Sequence, residues 1–157
     1  MTEEKKPIAI GCDEGGFDLK QVVIKLLRDE GYEVKDFGSY SLDAIAYPDV
    51  GYDLARAVAR GEHDRGILIC GTGIGMAIVA NKVPGVRAAQ VPDAYSAARA
   101  RKSNNAQIMT LGGKTMGVEH AKSCVRAWLA SEFAGGGSAR KVDKIMAGEQ
   151  KPGQTRA

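Results

Sequence analysis

Five short runs of β-forming residues, each followed by a stretch with helical periodicity, set the plan of the chain: 7–12 (PIAIGC), 32–37 (YEVKDF), 65–70 (RGILIC), 85–91 (GVRAAQV) and 107–112 (QIMTLG). Strands that are each reached through a helix pair in parallel, because parallel neighbours need a long crossover between them. The alternation therefore predicts an α/β fold, a Rossmann-like three-layer α/β/α sandwich around a five-stranded parallel sheet, in the common order 2-1-3-4-5. Between the runs, FDLKQVVIKLLRDEGY places Phe17, Val23, Leu26 and Leu27 on one helical face and stops at Gly31; DVGYDLARAVARGEHD stops likewise at Gly61. MAIVANKVPG gives a short helix closed by Pro84, Pro92 and Asp93 head a fourth, and HAKSCVRAWLASEF supplies a fifth that buries Cys124, Trp128 and Leu129.

A length of 157 residues with 44% hydrophobic content fits one compact domain, read as 1–149. AGGGSA, 134–139, is the flexible-looking stretch inside it, and it leads into RKVDKIMAGE, an amphipathic segment too short to be stable alone. The extension 134–149 is thus expected to dock on the open sheet edge or on a partner subunit. The polar end, 150–157, reads as a disordered tail.

Several function classes are disfavoured by composition. The net charge is +3, the densest basic cluster is Arg99 to Lys102, and the aromatic 6% does not alternate with Lys or Arg, so no nucleic-acid face is expected. MTEEKK opens with charges and no apolar run is long enough to span a bilayer, which predicts a cytoplasmic protein without membrane contact. Cys12, Cys70 and Cys124 have neither zinc nor disulfide spacing; free thiols and no metal are expected.

In open parallel sheets ligands bind beyond the carboxyl ends of the strands, where the strand order reverses. Here that crevice falls between the loops after strands one and three, GCDEGGF and CGTGIGM, both glycine-rich and both opening helices whose N-termini favour negative charge. Cys70 would end strand three beside such an N-terminus, where the thiolate form is favoured and can act as base or nucleophile. Gly71, Gly73 and Gly75 would aim backbone N–H groups at a developing oxyanion, and Thr72 adds a hydroxyl; this is equipment for enediolate chemistry. The alternative is an inert cysteine packed in a parallel strand. GTGIG is not the dinucleotide fingerprint, the first turn also fails it, and no GK[ST] follows to make a phosphate loop.

Asp13 and Glu14 can bond sugar hydroxyls or do acid–base work, or simply match a helix N-terminus, with Cys12 as core behind them. Tyr47 opens a helix with Pro48 and can also reach the crevice. Ser103 and Asn104 precede strand five; Asn104 is a candidate ligand for a substrate oxygen, or a helix terminator. Lys114, Arg140 and Lys141 are candidate phosphate contacts, or solvated charges. The two histidines, His63 and His120, read as structural or surface residues.

Taken together, CDEGG, YPD, ICGTGIGM, ANKVPGVRAA and SNNAQIMTLGG resemble the sugar-phosphate isomerase family of ribose-5-phosphate isomerase B and the galactose-6-phosphate isomerase subunits, over about Ile8 to Ile145. The resemblance implies a Rossmann-like sandwich, a homodimer or tetramer with active sites between subunits, and aldose–ketose isomerisation of a sugar phosphate without metal, nucleotide or other cofactor. By that resemblance Cys70 is the base working between C1 and C2, Thr72 assists at the ring oxygen, the turn Gly71 to Gly75 is the anion hole, Asp13 and Asn104 bind hydroxyls, and Lys114 and Lys141 stand where the family usually has phosphate-binding arginines. The lysines keep the charge but lose the bidentate fork.

Three positions depart from the family pattern: Glu14 and Ser103 stand where it has histidines, and Gly137 where it has an arginine. The histidine at the Ser103 position is implicated in opening a pentose furanose, an acid–base task. A tetrose phosphorylated on O4 cannot close that ring, so the departures shift the expected substrate from ribose 5-phosphate towards erythrose 4-phosphate and erythrulose 4-phosphate. A carboxylate at Glu14 would repel a nearby phosphate, which keeps a non-catalytic phosphosugar-binding module as the second reading. A nucleotide-dependent oxidoreductase rests on fold alone.

Overall fold

The computed structural model describes residues 4–149; the tail read as 150–157 lies outside them. The elements follow the order β1(Ile8–Cys12), α1(Phe17–Asp29), β2(Val34–Asp36), α2(Tyr47–Ala59), β3(Gly66–Cys70), α3(Ile74–Asn81), β4(Ala88–Gln90), α4(Ala94–Lys102), β5(Ile108–Gly112), α5(Val118–Leu129) and α6(Gly137–Ala147). All strand pairings are parallel, and the sheet order is β2-β1-β3-β5-β4.

The α/β/α sandwich is as the alternation predicts, but the order 2-1-3-4-5 is corrected: β5, not β4, lies beside β3. The physical reason is burial. IMTLG in β5 is buried at every position and needs a neighbour on each side, whereas β4 is three residues long, half-buried and ends in the exposed Gln90. Crossover handedness carries the same information. Parallel crossovers are right-handed, so the face on which a helix packs fixes the direction in which the next strand is laid down. α2 and α3 bury Leu54, Val58, Met76 and Ala80 on one face, and α1, α4 and α5 bury Val23, Leu27, Ala97, Val125 and Trp128 on the other. Because α4 changes face after β4, the chain turns back and inserts β5 between β3 and β4.

Helix ends obey local chemistry. Gly31 and Gly61 take positive φ just beyond α1 and α2, and Asp93 caps α4 by accepting the Ser96 N–H at 2.7 Å. α6 buries Val142 and lies along the β4 side of its own chain: Glu149 accepts the Gly85 N–H at 2.8 Å, Arg87 Nη1 lies 3.0 Å from Met146 Sδ, and Ala134 N donates to Lys102 O at 3.2 Å. Among the described residues no helix is long and apolar enough to cross a membrane.

Candidate active site

Cys70 is the last residue of β3, its side chain 5% exposed, and its sulfur accepts the Gly73 N–H at 3.2 Å. That bond exists because Gly73 turns the chain with φ 80°, a left-handed conformation that an L side chain resists. β5 holds the turn in place. Gly113 N donates to Cys70 O at 2.8 Å, Lys114 N to Gly71 O at 2.9 Å, and the buried Thr110 hydroxyl to Gly73 O at 2.7 Å. Thr72 Oγ1 accepts the Ile74 N–H at 3.2 Å, and Gln90 donates to Thr72 O at 3.2 Å. The amides of Gly71 and Thr72, the two residues that follow Cys70, have no acceptor among the described residues.

The β1 loop closes on the same point. Asp13 N donates to Ile69 O at 3.2 Å, and Asp13 Oδ1 accepts the Gly16 N–H at 3.1 Å. A methyl group on Gly113 would sit 2.2 Å from Gly15 O, and one on Gly15 would sit 3.1 Å from Gly71 N, so the loops after β1, β3 and β5 touch backbone to backbone. The Lys114 stem runs along Gly71, its Cδ 3.5 Å from where a Cβ would be. Tyr47, at the head of α2, rests its hydroxyl 2.6 Å from the position of a Gly75 Cβ. Asp13, Tyr47, Cys70 with its glycine turn, Thr72 and Lys114 therefore share one end of the sheet.

Glu14 is at this end too, but its Oε2 accepts the Ile45 N–H at 3.1 Å and ties down the loop that precedes α2. Backbone N–H groups, its own first and then that of Ile45, hold its carboxyl below the usual glutamate range, with a smaller contribution from Lys114. Asp13 is shifted the other way: burial raises its pKa, and the Glu14 charge raises it further. Burial likewise raises the Cys12 thiol, which is fully enclosed and packs in the core as expected.

Ser103, Asn104 and Lys141 are not brought to Cys70 within the chain. α4 leaves the carboxyl end of β4 and runs back to the amino end of β5, so its C-cap Ser103 and the exposed Asn104 lie at the far end of the sheet. There Ser103 Oγ accepts a hydrogen bond from Arg99, and Asn105 O accepts one from Arg87 at 3.0 Å. Lys141 and Arg140 are exposed on α6. His63 is buried, donating from Nδ1 to Pro7 O at 2.7 Å with its ring edge-on to Phe37; His120 Nε2 donates to Pro92 O at 2.6 Å.

Sequence reasoning missed Thr110 and Lys20. Thr110 is the polar residue inside the apolar run IMTLG, a signal that was readable. Lys20 is fully buried; its ammonium bonds both Asp36 carboxylate oxygens, at 2.7 and 2.8 Å, and Ser39 O at 2.5 Å. Asp36 in turn accepts the Gly38 N–H at 2.8 Å, and Ser39 N donates to Cys12 O at 2.8 Å, so this ion pair fixes the end of β1 from which Asp13 projects.

An open parallel sheet with a thiol, free amides and a buried carboxyl at its switch point defines an α/β protein equipped for proton transfer on a small anionic ligand. The chain belongs to the Ribose/Galactose Isomerase family, which matches residues 8–145. It is 52% identical over 144 residues to the ribose-5-P isomerase B of Listeria innocua, covering 92% of this chain and 97% of that protein. It is 56% identical over 142 residues to the D-erythrulose-4-phosphate isomerase of Pectobacterium atrosepticum, covering 88% and 91%. Among solved structures, the Clostridium thermocellum ribose-5-phosphate isomerase B superposes with a TM-score of 0.88 at 47% identity, covering 90% of this chain and 95% of the other. The Mycoplasma genitalium enzyme with bound ribulose-5-phosphate gives 0.86 at 36% identity, covering 90% and 94%.

Proposed function

We propose that this cytoplasmic protein interconverts the aldose and ketose forms of a small sugar phosphate through an enediolate, with Cys70 as the base. The observation that carries this is the Cys70 sulfur, which accepts the Gly73 N–H at 3.2 Å inside a glycine turn at the β1/β3 switch point. A cysteine acts as a base through its thiolate. The thiolate takes the C2 proton of the aldose; the C–H electron pair becomes the C1–C2 double bond, and the carbonyl pair moves to O1. The amides of Gly71 and Thr72 meet that charge. A proton then passes from O2 to O1, with the Thr72 hydroxyl and the Asp13 carboxyl, whose pKa burial raises, on either side. The thiol finally returns its proton to C1, giving the ketose. Lys114 supplies charge for the anionic end of the substrate.

The preferred substrate pair is erythrose 4-phosphate and erythrulose 4-phosphate rather than ribose 5-phosphate and its ketose. Both imidazoles are committed to backbone carbonyls, His63 to Pro7 and His120 to Pro92, which leaves no imidazole of the same chain to open a furanose. The 56% identity to an erythrulose-4-phosphate isomerase supports the same choice. The working unit is a homodimer in which Ser103, Asn104 and Lys141 of one chain complete the Cys70 site of the other; the position of Ser103 and Asn104 at the far end of the sheet and the exposure of Lys141 on α6 support this arrangement. Purified protein assayed with both aldose phosphates is expected to give the larger kcat/KM with erythrose 4-phosphate. A larger value for ribose 5-phosphate overturns the tetrose assignment, and no turnover of either overturns the isomerase assignment.

A further inference from the structure

At the amino end of the sheet, opposite Cys70, lies a cleft of about 420 Å³ whose charged walls are Lys5, Lys6, Arg65 and Arg101 against Asp64 and Glu132. Cations exceed anions there, and the two arginines are the buried members, with side chains 11% and 9% exposed. On Arg65 all four Nη donors are taken: they go to Trp128 O, Leu129 O and Ser131 O, capping the end of α5, and to Glu132 at 2.6 Å. On Arg101 they are not. Its Nη1 donates to Ala106 O at 2.9 Å and reaches Asn105 Oδ1 at 3.4 Å. Its Nε is buried without any partner, and its Nη2 comes no closer to Glu132 than 3.8 Å.

The Nε–Nη2 side is the edge with which a guanidinium grips two oxygens of one anion in parallel hydrogen bonds. An unpaired buried donor is costly, the more so when charged, so the unpaired Nε is a standing penalty. Burial and then the repulsion of Arg65 both disfavour the charge on Arg101. Of the two carboxylates in the cleft, Asp64 is paired with Lys6 at 3.3 Å, and Glu132, 79% exposed, is already engaged by Arg65. We propose that this cleft is a second oxyanion site, which takes phosphate or the phosphate group of a small monoester at Arg101 Nη2, beside the unpaired Nε, with Lys5 and Lys6 at the rim. It is separate from the Cys70 crevice and does not depend on the isomerase reading.

The test follows the arginine Nε–H signals of the full-length, 15N-labelled protein during titration with inorganic phosphate and, separately, glycerol 3-phosphate, with ionic strength held constant by sodium chloride. The Arg101 signal is assigned by through-bond correlation of its side chain to its backbone amide and checked by its loss in Arg101→Lys. The expected result is a saturable shift of this signal, severalfold weaker in Lys5→Gln/Lys6→Gln and severalfold tighter in Glu132→Gln, where the competing carboxylate is gone. Saturation by inorganic phosphate identifies a free oxyanion site, and saturation by the ester alone a phosphomonoester site; either supports the proposal. An Arg101 signal that stays still with both ligands, or that moves equally when chloride replaces phosphate, overturns it.

Discussion

At the scale of single residues, Cys70 and Asp13 are tuned by different forces. Cys70 owes its position to the last register point of β3, opposite Gly112, and its sulfur contact to the left-handed Gly73. Cys70→Ala removes the proposed base and leaves a small cavity in a turn that β5 holds by its own hydrogen bonds. Its turnover should fall at least about a thousandfold while a sugar phosphate still raises its Tm, because general-base removal affects the chemical step; measured kcat beside ligand-induced thermal shifts checks both halves. Asp13 has a native pKa above its unfolded one, since burial and Glu14 disfavour the carboxylate. The folded state therefore binds this proton more tightly than the unfolded chain, and stability present at low pH is lost as pH rises through the native pKa. Asp13→Asn should unfold at a higher temperature than the parent at pH 7, by about 2–4 °C for each kcal/mol relieved, with the gain shrinking on acidification. Activity should fall in the same variant. Thermal unfolding across pH 4–8 tests this, and a gain that grows towards acid would contradict the assignment.

At the scale of elements, the site is made by three strand ends that approach through glycines. Gly113 is where the loops after β1 and β5 meet, and a Cβ there would lie 2.2 Å from the Gly15 carbonyl, a backbone atom that cannot swing aside. Gly113→Ala should destabilise by about 1–3 kcal/mol through forced separation of the loops and should lower kcat/KM as well. Gly137, the first residue of α6, has nothing within 4 Å of its Cβ position, so Gly137→Ala should leave the urea midpoint unchanged or slightly raised. Paired denaturation curves distinguish the two. The sequence made the glycine turn after β3 legible, because a thiol followed by alternating glycines at a strand end has a direct chemical meaning. It did not reveal Gly15 or Gly113 as points of closest approach, because a glycine's need for space depends on backbone from a distant loop.

At the scale of the whole molecule, one chain separates residues that the proposed reaction needs together. If Cys70 of one subunit works with Asn104 of another, Cys70→Ala and Asn104→Ala proteins, each inactive alone, should regain about a quarter of parental activity when unfolded together and refolded as a mixture. Random pairing makes half of the dimers mixed, with one intact site in each. No recovery would place Asn104 outside the Cys70 site. The sequence by itself determined the strand–helix alternation, the sandwich it builds, and the two glycine loops on which the proposed Cys70 chemistry rests. These follow from periodicity and turn chemistry within about ten residues, which any chain segment carries locally. Only the tertiary structure decided that β5 lies between β3 and β4, that Thr110 and Lys114 therefore reach the Cys70 turn, and that Ser103 and Asn104 end at the opposite pole. Those outcomes depend on which helix covers which face and which strand can be buried on both sides, balances struck over the entire sheet and invisible to any short window of sequence.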